Sequence, residues 1–509
     1  TKDGKTYTVR NGRAYVSLHD TAVTITNGGV IANNQPIFFN GTVNIKDTSN
    51  PALNLTVSAQ DLDATAFGDF GVTGRISGTA TIGGTATKPT ANGHVSARDV
   101  HYGDYAIREA DANFIYDGTT VTIPDFSVDP GFGAAKGTAS YNIDTSAYNA
   151  TVSAVDMPLS MLQDQLGMPI TGTVTGAVAV SGVSSESAPR SIKANLKGTN
   201  ISAQGITLDS ADAQIRGTNG QYTIDYLNGT MGAGHFTAYG TASTDAVDLS
   251  FNGSGLPLSE LQSYVGQSLD GTATVTGHVS GALSNPNVVA KVSSDGGHIA
   301  GVRYDRLFGD LAIENNVATI KQGFLQDGHG YYTVTGTANL TGDKAIDIRA
   351  QAETVRIENV AKSFTDLPIT GWLSARAHIQ GTMSNPLVRA HIHAWDGSVY
   401  GKLFSDVEFG VRYQGDTLTV RNLTASAYGA SFYGGGTMKG KTLDFNVFGD
   451  KIYLAPWLKD YADVHGYLTA EGHLSGTTDK PIFEGNIGSD KLRINGTVLT
   501  NVRGSVYVD

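Results

Sequence analysis

Gly271-Thr272-Ala273-Thr274-Val275-Thr276-Gly277-His278-Val279-Ser280-Gly281 alternates without a break between apolar or small residues and polar ones. Period-two alternation places one face of a β-strand in apolar surroundings and the other in water. The same stretch recurs from Gly74, Gly172, Gly371 and Gly466, at intervals of 98, 99, 100 and 95 residues. The first copy carries Ile76 and Ile82, the second Val174, Val178 and Val180, the fourth Leu373 and Ile379, and the fifth Leu468 and Leu474. A repeat this regular sets the architecture before any other feature is read.

Working outward, each copy is followed by a Pro turn at Pro89, Pro189, Pro286, Pro386 or Pro481. Hairpin signals come next, at Asp117-Gly118, Asn219-Gly220, Asn315-Asn316 and Gly415-Asp416, with a poorer one at His19-Asp20. Such pairs supply the positive φ that tight antiparallel turns need. A second alternating strand is anchored by Gly-Thr-apolar, as in Val334, Gly336, Ala338 and Leu340. The only helical periodicity lies just before each new copy, at Met157–Gly167, Leu256–Gly266, Val355–Phe364 and Ile452–Tyr461, with a weaker version from Leu62. Leu258, Leu261 and Val265 fall at i, i+3 and i+7, and Ser259, or Leu256–Ser259, is expected to supply the capping region. The reading is about seven strands and one helix of two or three turns per repeat. Its boundaries are a partial repeat over 1–70, repeats over 71–170, 171–268, 269–369 and 370–464, and the start of another over 465–509. The chain lacks an initial Met and ends inside a strand pattern, so it reads as a segment of a longer one.

Composition agrees with a β-rich rod. Glycine accounts for 63 of 509 residues, about 12% against a usual ~7%. A net charge of -12 and the lack of any basic run speak against nucleic acid as a partner. There is no cysteine, hence no disulfide framework or thiolate metal site. No apolar run of about 18 residues or signal-peptide pattern is present.

Seven strands make a sheet about 34 Å wide, which one short helix cannot cover. A closed sandwich would want large interdigitating side chains. The middle inner positions are instead Gly78, Ala80, Gly176, Gly277, Ala375, Ala377, Ala470 and Gly472. The expected fold is therefore mostly β: a long, curved antiparallel sheet whose apolar face forms a continuous groove. The expected lining is Ile76, Ile82, Val174, Val178, Val180, Val275, Val279, Val334, Leu340, Leu373, Ile379, Leu468 and Leu474. Acyl chains suit such a groove, since each buried CH₂ contributes about 0.8 kcal/mol.

The repeated strand, the Ser-Asn-Pro of Gly381-Thr382-Met383-Ser384-Asn385-Pro386 and of Ser284-Asn285-Pro286, and the Gly-Thr-apolar strands resemble the AsmA-like repeats of the TamB family. That resemblance implies a β-taco fold and a bridge-like lipid transfer role in the periplasm of a diderm bacterium. It further implies phospholipid as cargo, an outer-membrane β-barrel partner of the TamA or BamA type, and an inner-membrane anchor that this segment does not display.

Other chemistry is weakly signalled. His391 and His393 share a strand face without a third ligand nearby. Asp61 with Asp63, Asp209 with Asp212, and Asp460 with Asp463 lack a consistent nucleophile or His. Trp372, Trp395 and Trp457 read as packing. No cofactor, metal site or enzymatic activity is expected. A secreted β-solenoid adhesin or autotransporter passenger is the alternative, and it would show rungs of about 20–25 residues. A polysaccharide-acting enzyme would need a fixed acid pair and aromatic platforms.

Overall fold

Alternating Thr, Val, Ile and Tyr favour extended backbone, and the described residues form 33 strands. The computed structural model describes residues 9–67, 72–102, 105–163, 168–187, 189–203, 205–262, 267–299, 301–361, 367–458 and 461–508. Two compact units, Thr1–Ser250 and Phe251–Asp509, divide it. Within each, the described ladders are antiparallel, and each long strand pairs with the long strands before and after it. This is an open meander, and it removes the parallel-rung architecture on which a solenoid reading depends.

The fourth repeat shows the plan. Its strands are Ile369–Thr382, Asn385–Val399, Lys402–Gln414, Thr417–Ala427, Ala430–Lys439 and Thr442–Tyr453, followed by a helical turn at Ala455–Leu458. There are six strands, not the seven expected, because strands of ten to fifteen residues use up the repeat sooner than strands of ordinary length would. The third repeat breaks the strand after its Pro into Asn285–Ser294 and Gly297–Ile299, and the next one into Val302–Tyr304 and Arg306–Glu314. The short Gly297–Ile299 piece pairs back with Leu269–Gly271.

The described helical segments are single turns, at Ala64–Phe67, Leu159–Leu162, Leu258–Leu261, Ile357–Ala361 and Ala455–Leu458. The rest of the expected helices, at 164–167, 263–266, 362–364 and 459–460, lies outside the described residues, Val265 included. The N-cap is Pro257, within the expected Leu256–Ser259 region, in extended conformation and with no side-chain capping bond from Ser259 or any other residue.

Two glycine positions explain the repeated motif. All five opening glycines take φ between 112° and 138°, where a side chain is strained. A Cβ on Gly371 would stand 2.8 Å from Gly397 Cα on the next strand. In the Gly-Thr motif, Gly336 has φ 149°, and a Cβ there would fall 2.2 Å from the Asp347 carbonyl oxygen. Its partner Ile320 begins a bulge, and bulges recur opposite this motif at Ile25/Gly28, Ile123/Phe126, Ile224/Leu227 and Val420/Leu423. Bulges bend and twist a sheet locally, so the motif writes curvature into every repeat.

Two close-packed clusters among the described residues form around helical turns. Leu258 packs with Leu269, Ala273 and Tyr304, and Ile357 with Val355, Leu373 and Ala394. In the fourth repeat Trp457 sits edge-on to Tyr428 and Phe432, with ring centroids 5.5 and 6.2 Å away.

Candidate functional site: an apolar face

Strand register extends the alternation seen along each strand into rows that cross the strands. In the second unit, cross-strand partners run Val275, Val292, Gly309, Gly323, Val334, Ala350, Ala377, Ala390. The row continues through Val411, Val420, Gly436, Phe445, Leu474, Phe483 and Val508. Every member of this fifteen-strand row is apolar or glycine. Its contour is about 67 Å at the usual strand spacing.

The first unit has its own row. It runs Val30, Ile37, Ala59, Gly78, Val95, Ala112, Phe126 and Gly137, then Val152, Val178, Ala194, Ile215, Ile224 and Gly240. Again no polar side chain interrupts it.

Few of these residues are buried; most are half-covered. The chain exposes 29653 Å², whereas two separate globular units of half its mass would together expose about 21,400 Å². The polypeptide leaves this apolar face only partly covered, and packs it closely at helical turns such as Leu258–Leu261 and Ile357–Ala361.

The expected lining residues distribute over this face unevenly. Val178, Val275, Val334 and Leu474 lie in the two rows. Ile76 pairs with Leu62 and Ala97, Ile82 with Leu55 and Ala91, Val174 with Met157 and Gly198, and Val180 with Ala150 and Ile192. Val279 meets Val288, Ile379 meets Ile348 and Val388, and Leu468 meets Ile452. Leu373 belongs to the packed cluster under the helical turn. Leu340 lies one residue beyond the Gly330–Asn339 strand and is 47% exposed. Row members Val292, Val411, Phe445 and Phe483 carry no signature motif; only the register reveals them.

The opposite face is polar. His391 and His393 meet Glu408 at 3.0 Å and Asp406 at 2.7 Å across the strand pair. Among the described residues no cluster of three or more His, Cys, Asp and Glu could hold a metal ion. Asp61 pairs with Arg98 at 3.0 Å, Asp63 accepts the Thr65 N–H at 3.0 Å, and Asp209 accepts that of Gly232 at 2.7 Å. Asp463 meets His465 at 2.8 Å, and Asp460 lies outside the described residues. Trp372 and Trp395 are cross-strand partners on this face, with the Arg356 guanidinium 4.1 Å from the Trp372 ring. No helix among the described residues is long and apolar enough to cross a membrane, which says nothing about strands.

Residues 27–113, about one repeat, match the family model described as the TamB C-terminal domain. That family serves outer-membrane assembly and transport. No curated protein matches the chain.

Proposed function

Because this chain is TamB-like, we propose that it carries phospholipid acyl chains along its apolar face, as a periplasmic bridge between inner and outer membrane. The observation behind this reading is the pair of uninterrupted apolar rows on a face the polypeptide only partly covers. An acyl chain of about sixteen carbons, half-covered on such a row, would gain on the order of 6 kcal/mol. The headgroup could stay in water, because the sheet is open. In this reading the full protein is tethered to the inner membrane and meets an outer-membrane β-barrel of the TamA or BamA type. No catalytic step is needed, since the lipid is moved and not changed.

Mass spectrometry of an organic extract from detergent-free, purified protein tests the proposal. Co-purified phospholipid supports it. A lipid-free preparation that also fails to take up phospholipid from vesicles overturns it.

A further inference from the structure

The polar face where the third and fourth repeats meet departs from the others. Register sets Arg349, His378 and Arg389 side by side on three strands, with Gln351, Arg376 and His391 in the next row. Together they line a hollow of about 590 Å³, floored by Ala350, Ala377 and Ala390 and flanked by Thr333 and Thr335. Three guanidiniums and two imidazoles face it, and its lining contains no carboxylate. That is unexpected in a chain of net charge -12.

The nearby carboxylates are committed elsewhere. Glu353 takes its shortest bonds from Gln351 Nε2 at 2.6 Å and Ser374 Oγ at 2.9 Å, leaving Arg376 at 3.6 Å. Asp347 accepts from His378 at 2.8 Å and Gln380 at 3.3 Å, with Arg349 at 3.8 Å. Arg389 donates to the neutral Gln380 Oε1 at 3.2 Å. Arg349 and Arg376 are 67% and 76% exposed, so their donors are open to a ligand.

The fold does not require these charges. Positions equivalent to Arg376 hold Thr79, Ala177, Thr276 and Glu471, and those equivalent to Arg389 hold Asn92, Lys193, Val289 and Glu484. The last repeat has a hollow at the same register, about 690 Å³, lined by Glu471 and Glu484. The shape recurs while the charge reverses.

We propose that the polar face where the third and fourth repeats meet binds a polyphosphorylated anion through Arg349, Arg376 and Arg389. Their Cα atoms lie about 8–10 Å apart by strand geometry, a span that linked phosphates can bridge. Arginine's planar fork suits phosphate oxygens, and the hollow has the size of an ordinary small-ligand site, about 300–1,000 Å³. A soluble polyphosphate and a multiply phosphorylated lipid headgroup share this chemistry. The arginines lie on the opposite side of the sheet from the side chains of the Val275–Val508 row, whose Ala350, Ala377 and Ala390 form the hollow's floor, and the site does not depend on what that row carries.

Calorimetric titration with sodium tripolyphosphate at fixed ionic strength tests the proposal. The expected result is saturable binding, weakened about tenfold or more by Arg376→Gln with Arg389→Gln at an unchanged melting temperature. Glu471→Gln with Glu484→Gln in the reversed hollow should leave the affinity alone. Absence of binding to the parent chain, or equal binding by the arginine variant, overturns it. Vesicles carrying a doubly phosphorylated lipid that displace tripolyphosphate assign the ligand to a headgroup; vesicles that do not displace it assign a soluble anion.

Discussion

Ser374 Oγ accepts the backbone N–H of Thr354 at 3.1 Å and donates onward to Glu353 Oε2 at 2.9 Å. Thr354 has φ 52° at a bulge just before the helical turn, where its N–H has left the ladder. Ser77 and Thr175 likewise accept the backbone N–H of Asp61 and Asp156, each at 2.9 Å. A hydroxyl stands three residues after the opening Gly in all five copies: Ser77, Thr175, Thr274, Ser374 and Thr469. Ser374→Ala should cost about 1 kcal/mol locally. Hydrogen exchange at the Thr354 amide should then quicken about fivefold, and unchanged exchange would show that the hydroxyl is incidental.

Gly336 and Gly410 sit in strands of the same unit but differ in surroundings. A Cβ on Gly336 meets the Asp347 carbonyl oxygen at 2.2 Å, whereas one on Gly410 finds its nearest neighbour, the Arg421 carbonyl oxygen, at 3.7 Å. Gly336→Ala should cost about 1–3 kcal/mol or more through backbone strain and lost pairing. Gly410→Ala should stay within about 1 kcal/mol. Thermal melts of the two variants check this, and equal shifts would refute the close-approach account.

The two faces should also respond differently to charge. Val275→Asp and Ile379→Asp place a carboxylate on the apolar face, and Thr276→Asp places one on the exposed polar face. The first two should lower the phospholipid recovered per mole of protein, and the third should leave it near the parent value. Lipidomic quantification across the three variants provides the comparison; equal loading in all three would contradict the assignment of the faces.

Tyr332 packs against the Val355–Leu373 cluster, with its hydroxyl buried and without a hydrogen-bond partner among the described residues. Burial, helped by the Asp327 charge, pushes its pKa up to about 12. Below an unfolded pKa of about 10 the phenol is neutral in both states. Between about 10 and 12 only the unfolded chain ionises, so this group's contribution to stability is lost as pH rises through that window. Tyr332→Phe should raise stability near neutrality by about 1 kcal/mol and soften the alkaline decline. Melting curves from pH 8 to 12 read both effects.

Much of the fold could be read from the signature strand, because alternation is local and each copy displays it within eleven residues. The glycines were harder: Gly371 reads as a small inner-face residue, yet its role depends on a backbone one strand away. Nothing in the sequence assigns a role to the hydroxyl of Ser374, because its partner, the Thr354 N–H, is set free by a bulge on the neighbouring strand. The arginine site is the clearest case. Arg349, Arg376 and Arg389 form no run along the chain, and only the pairing of Ala345–Arg356, Ile369–Thr382 and Asn385–Val399 brings them together. The helix expected over Leu256–Gly266 is described only as the turn Leu258–Leu261, and residues 263–266 lie outside the described residues.

The row from Val275 to Val508 also bears on movement. No side chain in it offers a hydrocarbon an ionic or hydrogen-bonded foothold, and shifting an alkyl chain by one strand trades dispersion contacts of about 0.1–0.2 kcal/mol each for others of similar depth. Along such a track a passenger would drift with little friction and no favoured stopping place. Net direction would have to be imposed by whatever loads one end and empties the other.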